Sequence, residues 1–73
     1  MTKSIHTKEY QIFVDKLKTA RIEANLTQVE VAKKLRRPQS YVSNIESGQQ
    51  RVDVMELQLF AKMYGKDISY FLK

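Results

Sequence analysis

The chain has 73 residues, enough for one small domain with a single apolar core, and it contains no cysteine. The lack of cysteine excludes disulfides and every zinc site built from thiolates. Thirteen lysines and arginines against eight aspartates and glutamates give a formal net charge of +5. This excess favours a polyanionic partner, either nucleic acid or an acidic membrane surface, although solubility alone would also account for it.

Neither a membrane span nor a signal peptide is predicted from the sequence. No apolar run approaches the ~18 residues that cross a bilayer, and the opening MTKSIHTKEY lacks the apolar core of a signal peptide. We therefore expect one soluble, cytoplasmic domain over residues 1–73, with residues 1–7 forming a frayed tail. The only histidine, His6, falls in that tail and is expected to be solvated rather than to bind a metal.

The first predicted helix is long and amphipathic. With two glycines and one proline, the chain has few residues that break helices. Asn25 is expected to end this helix in a left-handed conformation. Its apolar face, with spacings of three and four, carries Tyr10, Phe13, Leu17, Ala20 and Ala24.

The second helix has a clear start signal. Thr27 can cap it and Glu30, three residues later, can reach back to close a capping box, so the helix is predicted to begin at Gln28. Lys33 and Lys34 are expected to point outward. The predicted inward side carries Val31, Ala32 and Leu35.

Two further helices are predicted near the end of the chain. Asp53 and Glu56 have the spacing of a second capping box, which would open a helix that ends at Gly65. Asp67 is then expected to cap a last short helix.

The stretch RRPQSYVSNIESGQQR, from Arg36 to Arg51, predicts the third helix, between Pro38 and Gly48. Only three residues separate it from helix two, which favours two helices that cross steeply over an antiparallel hairpin. The sequence therefore predicts an all-α fold of five helices, with a helix-turn-helix over about residues 28–47.

The outward side of the third helix is unusual for a solvated surface. Val42 and Ile45 set its inward side, and the opposite side carries neutral hydrogen-bonding side chains with neither Lys nor Glu. Asn and Gln can contact adenine in a bidentate way, and Ser can bond several base edges. Plain solvation is the alternative. The predicted base-reading residues are Gln39, Ser40, Tyr41, Ser43 and Asn44.

Basic side chains flank this outward side. Base-reading groups in the middle with phosphate-binding groups at the margin match the way proteins bind a DNA groove. The predicted phosphate contacts from this argument are Lys33, Arg36, Arg37 and Arg51, with Ser47 at the end of the helix. For Tyr41 three possibilities stay open: its ring packs on a thymine methyl, its hydroxyl bonds a phosphate, or it shields the junction of helices two and three.

The runs LTQVEVAKKL, RRPQSYVSNIESG and VDVMELQLFAKMYG resemble the phage-repressor and Cro-like helix-turn-helix domains, also called Xre-type, over roughly Leu17 to Leu72. The resemblance implies a lambda-repressor-like fold. It also implies a sequence-specific transcription regulator, most often a repressor, that binds an inverted repeat of double-stranded DNA as a homodimer. A cytoplasmic protein of a prokaryote or phage, with no cofactor and no small-molecule ligand, fits this family.

The resemblance also assigns roles to further positions. Gln28 matches a residue that holds a phosphate and braces the recognition helix. Arg21 and Glu46 match a salt bridge between helices one and three. The loop that grips the DNA backbone matches Gln49, Gln50 and Arg51.

Two positions depart from the family pattern. Arg36 stands where glycine is frequent, so it must either adopt a positive φ or use a different turn. Pro38 stands where a Ser or Thr cap is frequent, but proline suits the first turn of a helix. These departures leave the first base-reading residue of the third helix open.

Catalysis is not expected. No serine has a histidine that the predicted fold would bring near it, and neither a Gly-rich phosphate loop nor HExxH occurs. The alternative to DNA binding is a protein-interaction module of the same fold, such as an antitoxin-like component or a controller that contacts polymerase. The closing ISYFLK is more apolar than five short helices would cover, so we expect a dimer contact at Tyr70, Phe71 and Leu72.

Overall fold

A computed structural model describes residues 7–73, and this part of the chain forms five helices and no strand, which confirms the predicted all-α fold. In chain order the helices are α1 (Lys8–Glu23), α2 (Gln28–Leu35), α3 (Gln39–Glu46), α4 (Val54–Tyr64) and α5 (Ser69–Leu72). The predictions made for residues 1–6, including solvation of His6, lie outside the described residues.

Both ends of α1 are fixed by local chemistry. Thr7 was predicted to belong to a frayed tail, and this is wrong because its Oγ1 accepts a hydrogen bond from the Tyr10 N–H at 3.1 Å and caps the helix. At the other end, Asn25 has φ of 60°, which confirms the predicted left-handed residue after the helix.

The capping box at the start of α2 is present as predicted. Thr27 Oγ1 accepts a hydrogen bond from the Glu30 N–H at 3.1 Å, and Glu30 Oε1 accepts one from the Thr27 N–H at 2.8 Å. The hydrogen bond from the Thr27 N–H lowers the pKa of Glu30 because it favours the charged form of the carboxyl group. The start of α2 at Gln28 is thereby fixed, and with it the angle at which the helix-turn-helix begins.

The second predicted capping box is only half formed. The Asp53 carboxylate accepts a hydrogen bond from the Glu56 N–H at 2.8 Å, as a cap does. The Glu56 carboxylate instead accepts hydrogen bonds from Tyr41 and Arg37, so the prediction that it closes a box on Asp53 is wrong. The end of α4 is as predicted, since Gly65 is left-handed with φ of 70°.

The turn into α5 differs slightly from the prediction. The Asp67 carboxylate accepts a hydrogen bond from the Ser69 N–H at 2.9 Å, which lowers the pKa of Asp67. Ile68, however, occupies the N-cap position, so Asp67, the predicted cap, lies one residue before it.

The core lies between α1 and the other helices, because α1 packs against α3, α4 and α5 while α2 packs against α3. Val42 and Ile45 of α3 are each 1% exposed, which confirms the predicted inward side of that helix. No buried side-chain polar atom in residues 7–73 lacks a hydrogen-bond partner. The buried apolar side chains are Val14, Leu17, Ala20, Val31, Ala32, Val42, Ile45, Leu57, Phe60, Ala61, Tyr64 and Phe71.

The end of the chain corrects one of the predicted dimer contacts. Phe71 is 2% exposed and belongs to the core of its own chain, so the prediction that it contacts a second copy is wrong. Tyr70 is half-buried, and its ring lies edge-on to the Phe71 ring at 5.0 Å. Leu72 is 66% exposed. Of the three residues, Leu72 alone presents most of its side chain to solvent.

Candidate nucleic-acid interface

The turn between α2 and α3 accommodates both departures from the family pattern. Arg36 adopts the left-handed conformation with φ of 58°, and the Arg37 N–H closes the end of α2 on the Ala32 carbonyl at 2.9 Å. Pro38 occupies the N-cap position of α3 rather than its first turn, without a side-chain cap. The helix therefore begins at Gln39, which makes Gln39 the first candidate for base reading.

Four of the five predicted base-reading side chains lie on the outward side of α3. They contact solvent and make no tertiary hydrogen bond. Gln39 and Ser40 are exposed at the N-terminal end, and Ser43 and Asn44 are half-buried in the middle. The Asn44 side-chain amide makes no hydrogen bond within residues 7–73. Ser47 follows the helix, and its hydroxyl donates to the Asn44 carbonyl at 3.1 Å. The Asn44 amide therefore has both its donors and its acceptor available to a ligand.

Tyr41, the fifth predicted base-reading residue, is held differently. Its hydroxyl donates to Glu56 Oε1 at 2.7 Å, and the Arg37 guanidinium lies 4.7 Å from the centre of its ring. Arg37 Nη2 lies 3.4 Å from Glu56 Oε2. Burial raises the pKa of the Tyr41 phenol, and the hydrogen bond to Glu56 raises it further, so the hydroxyl stays protonated at neutral pH. We call Arg37, Tyr41 and Glu56 the Glu56 cluster.

The C-terminal end of α3 is braced by Glu46. Its carboxylate accepts hydrogen bonds from Arg21 Nε at 2.8 Å and Arg21 Nη2 at 3.1 Å, which is the salt bridge predicted between helices one and three. Gln28 Nε2 donates to the same carboxylate at 3.0 Å. Arg21 Nη1 also donates to the Leu26 carbonyl at 2.8 Å. The hydrogen bond to Glu46 raises the pKa of Arg21, so this guanidinium is firmly charged.

The loop after α3 is anchored at both ends. The N–H groups of Gln49 and Gln50 both donate to the Asn44 carbonyl, at 2.9 and 3.2 Å. The Gln50 carbonyl accepts a hydrogen bond from the Tyr10 hydroxyl at 3.5 Å, and the exposed Arg51 guanidinium lies 5.7 Å from the Tyr10 ring. The loop therefore holds its polar side chains close to the end of the helix that carries Asn44.

The predicted phosphate contacts form a margin that precedes and follows α3 along the chain. Gln28 and Gln50 are half-buried. The exposed members of this margin are Lys33, Arg36, Arg37, Ser47, Gln49 and Arg51. The neutral outward side of α3 thus lies between exposed cations that come before it, in α2 and the following turn, and after it, in the loop that ends at Arg51.

Sequence reasoning missed Glu56 as a residue of this surface. Its side chain is 16% exposed, and its carboxylate lies against Tyr41 and Arg37, which are fifteen and nineteen residues earlier in the chain. Its spacing from Asp53 is that of a capping box, and no local pattern in the sequence indicates its contacts with Tyr41 and Arg37.

Residues 7–73 were also compared with the requirements of a membrane-spanning helix and of a metal site. None of the helices within residues 7–73 is long and apolar enough to cross a membrane. The same residues contain no cluster of His, Asp and Glu that could hold a metal ion.

Comparisons with known proteins extend over most of the chain. The sequence model of a helix-turn-helix family matches residues 17–71. Among solved structures, the chain is similar to an XRE-family like protein from Pseudomonas syringae pv. tomato str. DC3000, with 44% sequence identity and a TM-score of 0.83. That similarity covers 97% of this chain and 87% of the other. No curated protein matches the chain. The residues matched by the family model include all of α2, α3 and α4 and therefore the whole candidate interface.

Proposed function

Because the chain belongs to the XRE-type helix-turn-helix family of DNA-binding regulators, we propose that it reads a specific double-stranded sequence with α3 in the major groove. The observation that carries this proposal is the neutral outward side of α3 inside a cationic margin. A compact domain seated in the groove would exclude other proteins from the same site, so the proposed outcome is repression.

The proposed contacts divide into two classes. Gln39 and Ser40 reach bases from the exposed start of α3, and Asn44 offers its unbonded amide to an adenine in the middle. Ser43 lies next to Asn44, and Tyr41 contributes through its ring. The proposed phosphate contacts are Gln28, Lys33, Arg36, Arg37, Ser47, Gln49, Gln50 and Arg51, which position the helix without reading sequence.

The experiment that tests this function is selection of preferred duplexes from a random pool, followed by binding measurements at several salt concentrations. We expect one preferred motif bound with Kd of about 10⁻⁸ M or tighter at physiological salt, and log affinity that falls linearly with log salt. Equal affinity for every duplex, or a flat salt response, would contradict the proposal.

A matched pair of variants separates the two classes of contact. Asn44→Ala should cost about 1–3 kcal/mol of binding free energy and relax the preference at a single base position. Arg51→Ala should weaken all duplexes alike and reduce the salt slope by about one. If both variants gave the same profile across a panel of duplexes, the assignment of base and phosphate contacts would be wrong.

We also propose that the chain binds an inverted repeat as a homodimer, through the exposed apolar residues beside the buried Phe71. An apolar groove of about 550 Å³ lies where the ends of α1, α4 and α5 meet, and Ile12, Val54 and Leu72 are exposed along it. A two-fold contact would let each copy cover the groove of the other and would place two α3 helices about 34 Å apart, one turn of DNA.

Sedimentation of the free and DNA-bound protein tests this contact. Leu72→Glu should shift the protein from two copies per inverted repeat to independent binding of one, because a carboxylate would be buried in the groove. Leu59→Glu adds the same charge on an exposed apolar residue of α4 that does not line the groove, and it should leave the stoichiometry unchanged. Equal behaviour of the two variants would refute this dimer contact.

A further inference from the structure

The Glu56 cluster places an acidic side chain in contact with two residues of the proposed DNA interface. We propose that Glu56 is a specificity-determining residue, which withholds the Tyr41 hydroxyl proton and part of Arg37 from DNA phosphates. This inference rests on the proposed function. It concerns which duplexes the interface rejects rather than whether it binds DNA.

The Tyr41 hydroxyl proton is not available to a DNA phosphate. A phenol has one proton to donate, and here it is donated to Glu56 Oε1 over 2.7 Å. Phosphate oxygens only accept hydrogen bonds, so Tyr41 gains nothing at a phosphate while that bond stands. Its oxygen can still accept a hydrogen bond, and the donors in the major groove are the adenine N6 and cytosine N4 amino groups. The Tyr41 ring can in addition pack on a thymine methyl.

The Arg37 guanidinium also contacts Glu56. Its side chain is 48% exposed, and one of its nitrogens lies 3.4 Å from Glu56 Oε2, which is a long contact between an exposed cation and a nearly buried carboxylate. Such a pair contributes little to folding. It does lower the attraction of Arg37 for a phosphate, because a phosphate must compete with a carboxylate that is already in place.

Glu56 does not lower the affinity for all duplexes by the same factor. Phosphate contacts supply essentially all of the affinity for random sequences but only part of the affinity for a preferred site. Weakening the Arg37 contact lowers the affinity for every duplex alike, but the Tyr41 oxygen, held as an acceptor, gains a partner only where a site presents a base amino group. Glu56 therefore costs a random sequence a Tyr41–phosphate hydrogen bond that the preferred site replaces with a base contact. This is discrimination by an unfavourable interaction with the wrong partner.

The carboxylate of Glu56 is not required to start α4. Asp53 caps α4 by accepting the hydrogen bond from the Glu56 backbone N–H, and that bond survives any change of the Glu56 side chain. Glu56→Gln keeps the shape of the side chain and removes the negative charge, and its amide N–H can donate to the Tyr41 oxygen, which releases the Tyr41 proton. The charge of Glu56 can therefore be tested in a protein that folds as before.

The test compares binding of the full chain to its preferred duplex and to a random-sequence duplex at the same salt. Glu56→Gln and Glu56→Ala should raise affinity for the random duplex about fivefold, the effect of one unit charge about 4 Å away in a water-like medium. The preferred duplex should gain less, because the Tyr41 oxygen is no longer held as an acceptor for a base amino group, so the ratio of the two affinities falls. Asp15→Asn removes the same charge from an exposed position on α1 outside the cluster and should leave the ratio unchanged.

A third variant tests the Tyr41 proton directly. Tyr41→Phe keeps the ring and removes the hydroxyl, and it should leave affinity for the random duplex within twofold of the unmodified protein. A general loss of affinity in Tyr41→Phe would show that the hydroxyl bonds a phosphate and would overturn the inference.

The remaining outcomes are equally decisive. A ratio unchanged in Glu56→Gln, or lowered as much in Asp15→Asn, overturns the inference while the proposed function stands. An unmodified protein with no sequence preference at all overturns both. Thermal unfolding of each variant establishes that it is folded, and Glu56→Gln carries the test if Glu56→Ala is not.

Discussion

Replacing Glu46 with alanine is expected to lower the free energy of unfolding by about 3–5 kcal/mol, because it leaves the Arg21 charge without its carboxylate in a nearly buried place. The Glu46 side chain is 5% exposed and that of Arg21 is 12% exposed. An exposed pair would contribute only about 0–1 kcal/mol. Since domains are stable by roughly 0.05–0.15 kcal/mol per residue, this loss is a large share of the total. Urea denaturation followed by circular dichroism measures it.

A double variant provides the control for Glu46→Ala. Arg21→Met combined with Glu46→Leu removes both charges and fills their space with apolar atoms, so it should cost much less than the sum of the two single changes. The Gln28 amide would lose its partner in both variants, and the Leu26 carbonyl would lose its Arg21 donor in the double variant alone. A loss below about 1 kcal/mol in Glu46→Ala would mean that the pair behaves as a surface salt bridge.

Two carboxylates hold α3 at its opposite ends. Glu46 ties its last turn to α1 and to the start of α2, and Glu56 ties its first turn to the start of α4. Ser43 and Asn44, two of the side chains proposed to read bases, lie between these ties. Because a base contact depends on placement to within a fraction of an ångström, side chains far from any base can control recognition by fixing the helix. In the Glu56 variants, the affinity ratio is therefore more informative than affinity for the preferred duplex alone.

Features set by a few neighbouring residues could be predicted from the sequence. The capping box of Thr27 and Glu30 and the left-handed ends at Asn25 and Gly65 depend on side chains within one helical turn, and all three predictions are confirmed. The inward pair of α3 follows from helical periodicity, and the family resemblance is confirmed by the comparisons. Short-range chemistry and periodicity thus sufficed for the helices and for the outward side of α3.

One error arose where a side chain had both a local and a distant partner. Asp53 and Glu56 have the spacing of a capping box, but Tyr41 and Arg37 offered Glu56 two hydrogen bonds that no local pattern indicates. Thr7 was assigned to a tail because the start of a helix is the least certain part of a periodic pattern. The proposed contacts with bases and phosphates remain predictions, since they depend on a partner that the sequence does not contain.

Because Phe71 lies in the core, its replacement is expected to have a large effect on the free energy of unfolding. Helix α5 is a single turn, so it offers no periodicity from which to tell an inward from an outward residue, and Phe71 and Leu72 were predicted to share one role. Phe71→Ala should lower the free energy of unfolding by about 3–5 kcal/mol because it leaves a cavity in the core. Leu72→Ala, at an exposed position, should change it by only about 0.5 kcal/mol or less. Urea denaturation at a protein concentration too low for self-association keeps dimer formation from contributing. A stable Phe71→Ala that fails to self-associate would restore Phe71 as a dimer contact and contradict its place in the core.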